Sequence, residues 1–190
     1  MLLKPSRYEE LNQEVVDLFE TYGMPTFPLD VFYLAGKMGV CLRSYSSVPL
    51  AKRLVLGDVS KDAFTISKGE YEVDTTFICF NQDVNAGRLR HSIAHEIAHI
   101  WLEHPSDDEP FETEANYFAA YLLAPIPVVI NRRLRTPREV QDYFGISQEA
   151  ARIALERTGN RRNCGKPGFD YEYRVIEMSV LKGGGCLESA

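Results

Sequence analysis

The four histidines of this 190-residue chain all lie in one stretch, RHSIAHEIAHIWLEH, residues 90–104. Two of them, His95 and His99, are four positions apart with Glu96 between them. On a helix, side chains at that spacing project from one face about 40° apart, so both imidazoles can meet at one zinc ion. Glu96 sits about 100° round from His95, where its carboxylate can reach a water at that metal without being a ligand. The arrangement suits metal-assisted hydrolysis, with Glu96 as general base. The plainer alternative is a polar seam of two solvated histidines.

A hydrolytic zinc ion takes three protein ligands and leaves one position open, so a third ligand is needed. The pattern that places it six residues after the second histidine is excluded: Pro105 stands there, and Leu102 occupies the glycine position. His104 is also a poor ligand, since five residues from His99 turns it about 140° away on the helix. The following segment, FETEANYFAAYLL, offers carboxylates. With Phe111, Ala115, Phe118 and Leu122 as its buried stripe, Glu112 borders the stripe on the side that carries Asn116 one turn later, and Glu114 borders the opposite side. Helical geometry therefore favours Glu112 as ligand with Asn116 orienting it, and leaves Glu114 open. An oxyanion would need a further donor, for which Tyr117, Tyr121, His91 and His104 are the candidates.

These residues need elements to hold them. YEELNQEVVDLFETYG carries Leu11, Val15, Val16 and Leu18 at helical spacing, ending at Gly23. PLDVFYLAGKMG reads as a second helix, with Pro28 in its first turn and Gly39 as its stop. VCLRSY, RLVLGDVS, DAFTIS and TTFICFN follow as short strands. Together they predict a small antiparallel sheet, whose last strand could pair with an extended substrate. The motif helix comes next and is expected to end at Pro105. A helix over SDDEPFETEANYFAAYLLAP follows, bounded by Pro110 and Pro125. PREVQDYFGISQEAARIALERTG then reads as helix, turn at Gly145, and helix capped by Ser147. The expected fold class is α+β, with the domains divided as 1–130 for a zincin-like peptidase, 131–160 for a helical appendage resembling a helix-turn-helix, and 161–190 for an irregular tail.

The bulk composition, 45% hydrophobic and 25% charged, is that of a folded globular chain. A net charge of −6 speaks against nucleic acid as the main partner. The charge is uneven: residues 91–131 hold no Lys or Arg, whereas residues 132–162 hold eight arginines. No export signal or membrane span is legible, and four scattered cysteines fit reduced thiols, so the expected compartment is the cytoplasm.

RHSIAHEIAHIWLEH followed by ETEANYFAAYLLAP resembles the ImmA/IrrE family of metallo-endopeptidases, gluzincin-like zinc proteins of bacteria and their mobile elements. Arg90, Ala94, His95, Glu96 and His99 match the first half of that family's pattern. Glu112, Asn116, Phe118, Ala119, Ala120, Leu122, Leu123 and Pro125 match the second. His91 and Ala124 depart from it, replacing the usual Phe and the common Met. The resemblance implies that His95, His99 and Glu112 hold one zinc ion per chain and that Glu96 is the base. It also implies a protease whose substrate is a helix-turn-helix transcriptional repressor of a mobile element or stress response. The alternative is a DNA-binding or protein-binding regulator without protease activity, built on Arg132, Arg133, Arg135 and Arg138 beside the VQDYFGISQEAARIALERTG segment.

Overall fold

A computed structural model describes residues 3–23, 26–47, 60–69, 74–163 and 168–183. The chain is α+β and divides into two compact units, Asp30–Ala119 and a second made of Met1–Leu29 with Ala120–Ala190. That division differs from the boundary expected at residue 130.

In the Asp30–Ala119 unit, helix α2 (Val31–Lys37) starts where Asp30 accepts hydrogen bonds from the backbone N–H groups of Phe32 and Tyr33. Its start is thus set by an aspartate cap after Pro28, which lies before the helix rather than in its first turn. Strands β1 (Cys41–Ser44), β2 (Ala63–Ile66) and β3 (Phe77–Phe80) form a sheet in the order β1–β3–β2. The sheet is mixed, not antiparallel: β1 pairs with β3 in parallel and β2 pairs with β3 antiparallel. β3 is therefore central, with hydrogen-bonding partners on both sides. It cannot take a substrate strand as TTFICFN suggested, because its edges are already used. The expected strand RLVLGDVS lies, save for Ser60, outside the described residues.

Helix α3 (Ala86–Trp101) is capped by Asn85, whose side chain accepts from Arg88 N–H, and packs on α2, β2 and β3. Ile93, Ala94, Ile97 and Ala98 are fully buried. Each isoleucine contributes roughly 1.5–3 kcal/mol by that burial, which pins the opposite, polar face of α3 in place. Arg88 grips Asp62 with two contacts, Nε–Oδ1 at 2.7 Å and NH2–Oδ2 at 2.8 Å, and so ties the first turns of α3 to the start of β2. Helix α4 (Phe111–Leu123) has Ala115, Phe118, Ala119 and Leu122 fully buried, which is the anticipated stripe apart from a half-buried Phe111.

The other unit is helical. It comprises α1 (Pro5–Tyr22), α5 (Ile126–Asn131), α6 (Pro137–Phe144), α7 (Gln148–Asn163) and α8 (Asp170–Gly183). Leu11, Val15, Val16 and Leu18 are buried and Gly23, at φ 71°, ends α1. Thr136 and Glu139 make a reciprocal cap at the start of α6, and Gly145 takes the left-handed conformation at its end. Ser147 Oγ then accepts from Ala150 N–H to open α7, as the sequence predicts. Residues 170–183 correct the expectation of an irregular tail: α8 is a regular helix with Tyr171, Val175 and Ser179 buried one turn apart. Its Arg174 reaches Glu20 at 2.7 Å and Asp17 at 3.5 Å on α1. The Gly- and Cys-rich composition around this helix hid its period-four pattern. Among the described residues no helix is long and apolar enough to cross a membrane.

Candidate metal centre

His95, His99 and Glu112 come together as a group whose ligand atoms all lie within 4.8 Å of one another. The Nε2 atoms of His95 and His99 are 3.0 Å apart. Glu112 Oε1 stands 3.5 Å from the first and 3.2 Å from the second. A tetrahedral ion with bonds of about 2.0–2.2 Å spaces its ligand atoms by about 3.3 Å, so the three donors fit. The helical spacing on α3 delivers the two rings, and Glu112, in the first turn of α4, supplies the carboxylate. The Asn116 amide donates to the Glu112 backbone carbonyl at 2.8 Å, not to its carboxylate, and the Asn116 side chain also hydrogen-bonds His95. Burial holds His95 below its ordinary value, against the opposing pull of Glu112. The neutral imidazole this favours is the form that ligates.

Glu96 lies one residue from the ligand pair and is not among the donors. Thr65 on β2 donates its hydroxyl to Glu96 Oε2 at 2.8 Å, an orienting contact that the sequence did not indicate. The carboxyl is pushed up to about 7, first by burial, with the charges of Asp107 and Glu112 adding and the Thr65 hydrogen bonds opposing. A divalent cation at the triad opposes this shift too, because a nearby positive charge favours the carboxylate. The cleft has two recesses, about 350 Å³ and 230 Å³, which share Glu96, His99 and Asp107. Asp62, Phe64 and His91 lie on the first side, and Thr65, Ser67 and Pro105 on the other. β2 therefore runs along both recesses.

The four expected oxyanion donors separate. His91 lines the larger recess with His95 and Glu96, and burial followed by repulsion from His95 holds it below its ordinary value. Tyr121 is 2% exposed and belongs to the other compact unit, and among the described residues neither it nor Tyr117 lines the cleft.

His104 lines the smaller recess with Glu96 and His99, in a position that differs from the helical expectation. Helix α3 does not run to Pro105 but stops at Trp101, with Leu102 as its cap. Glu103 then takes φ 51°, and the chain closes a Schellman turn: His104 N–H donates to His99 O at 3.0 Å and Glu103 N–H to Ile100 O at 3.3 Å. The turn folds His104 back over His99, with the Nδ1 atoms 3.2 Å apart, instead of 140° away. A left-handed conformation costs a non-glycine residue about 1–2 kcal/mol, and the Glu103 side chain is exposed. Glu103→Gly is accordingly expected to stabilise the protein by about 0.5–1 kcal/mol after the entropy of the more flexible unfolded glycine is subtracted, read as a higher thermal midpoint. A lower midpoint would refute it.

The family model described as Peptidase_M78, IrrE N-terminal-like domain, matches residues 50–156, more than half of the chain and all of the metal triad. No curated protein matches the chain.

Proposed function

The chain belongs to the IrrE N-terminal-like peptidase family, and from that premise we propose that it is a zinc-dependent endopeptidase acting on a protein substrate in the cytoplasm. The observation that carries this reading is the conjunction in one cleft of a three-donor triad with a non-ligating, half-buried Glu96 held by Thr65. Two imidazoles and a carboxylate suit zinc better than magnesium or calcium, which prefer all-oxygen sets. Zinc there would supply Lewis acidity, polarising the scissile carbonyl and lowering the pKa of water to about 7.

The rest is done by the protein's own groups. Glu96 removes the proton of the attacking water and returns it to the leaving amine. Thr65 holds Oε2 and so fixes the orientation of the carboxyl group. His91 lines the same recess as His95 and Glu96 and is held below its ordinary value by burial, which supports it as the donor of a ring N–H to the carbonyl oxygen. The resemblance of both motif halves to repressor-cutting proteases supports a helix-turn-helix repressor as the substrate. The regulator alternative draws less support, since it leaves Glu96 beside the triad without a task, and some of the arginines in that region have partners within the chain. Arg132 donates to Ser179 O and lies over the Tyr143 ring, Arg138 pairs with Asp142, and Arg152 pairs with Glu149.

Protein purified without added metal and reconstituted with zinc is expected to hold one equivalent per chain by elemental analysis. Occupancy far below one would sink the zinc reading. Incubation with the repressor encoded beside it, if one is present, tests the substrate by the appearance of two defined fragments.

A further inference from the structure

We propose that Glu114 and His104 are positioning residues for the metal ligand His99, forming a buried carboxylate–imidazole–imidazole chain behind the metal triad. The inference rests on the metal reading above and goes beyond it. His99 uses Nε2 toward His95 and Glu112, which leaves Nδ1 on the far side of the ring. That atom is 3.2 Å from His104 Nδ1, and His104 Nε2 is 3.4 Å from Glu114 Oε2. The side chains of His104 and Glu114 are only 3% and 9% exposed, and the His104 ring rests against Phe111 at 5.0 Å. Asp107 also approaches His99 Nδ1, but at 3.9 Å and from a side chain 91% exposed, which is too far for a hydrogen bond and well solvated.

Proton placement along the chain is self-consistent. With Nε2 of His99 turned to a cation, its proton sits on Nδ1 and donates to Nδ1 of His104. His104 then carries its own proton on Nε2, which lies 3.4 Å from Glu114 Oε2, within ion-pair distance though without hydrogen-bond geometry in this structure. One tautomer at each ring is compatible with this order of groups. The backbone enforces the pairing, because the Schellman turn at Glu103 sets His104 over His99 whatever the side chains do. Such a chain fixes the ring of His99 and raises its basicity as a ligand. A buried carboxylate costs stability that an apolar side chain of similar volume would not, so a packing role alone gives Glu114 no advantage there.

The test is the zinc dissociation constant, by competition with a chromophoric chelator, together with the visible spectrum of the cobalt-substituted protein. His104→Phe and Glu114→Leu are each expected to weaken zinc by about 10–100-fold and to shift the cobalt bands. Glu114→Gln keeps an oxygen acceptor and is expected to fall between Glu114→Leu and wild type. Asp107→Ala is expected to stay within about twofold of wild type. Thermal unfolding of the metal-free proteins establishes that each variant is folded, and if His104→Phe is not, the two Glu114 variants decide. Zinc affinities within about twofold of wild type in folded Glu114→Leu and His104→Phe, or in Glu114→Leu if it alone folds, would overturn the chain. If wild type takes up no metal, or if His95→Ala binds as tightly as wild type, the metal reading itself fails and the chain with it.

Discussion

Glu96→Gln is expected to lower peptide hydrolysis by about 10²–10⁴, the usual contribution of a positioned general base, while fold and metal content stay near wild type. The substitution preserves volume, and the amide oxygen can still accept from the Thr65 hydroxyl that binds Oε2 at 2.8 Å. What it removes is the ability to take a proton. The triad does not include Glu96, so zinc stoichiometry should not change. Rates of substrate cleavage at equal metal loading decide the matter. Equal cutting by both proteins would show that Glu96 is not the base. Cutting by neither, with metal present, would favour a binding regulator or a protease that awaits an activator.

Glu112→Ala is expected to have the other large effect, loss of the metal and of hydrolysis together. Its Oε1 is the only carboxylate oxygen in the triad, and removing it leaves two imidazoles whose Nε2 atoms are 3.0 Å apart. Two ligands hold zinc far more weakly than three, so the loss should exceed the 10–100-fold expected for the outer partner Glu114. Elemental analysis after dialysis should find occupancy falling from about one toward zero for Glu112→Ala, with Glu114→Leu retaining bound metal at saturating zinc. The reverse result would assign the ligand to the wrong face of α4.

The centre of the site was legible because its chemistry is local. His95 and His99 at i and i+4 meet on any helix, and the cap at Ser147 and the stops at Gly23 and Gly145 follow from contiguous residues. Glu112 was favoured over Glu114 by helical geometry, and the resemblance then singled it out. The α8 helix shows that a local signal can also be overlooked: Tyr171, Val175 and Ser179 recur every fourth residue, yet the glycines and cysteines around them read as irregular chain.

Tertiary structure decided the features that depend on which distant groups meet and how much water remains between them. Strand order is one, since nothing in the spacing of β1, β2 and β3 says that β3 inserts between the other two with β1 parallel to it. The Glu96–Thr65 contact spans 31 positions and exists only because the sheet brings β2 alongside α3. The raised pKa of Glu96 follows from desolvation in that cleft, which no residue type carries by itself. The placement of His104 lies between these cases: helical arithmetic continued α3 past its real end, where a residue without glycine's freedom took the left-handed turn at φ 51°. The 3.6-residue period governs side chains only while the helix lasts, so the sequence determined that two imidazoles meet on α3 with a carboxyl group beside them, and the folded chain decided what stands behind them.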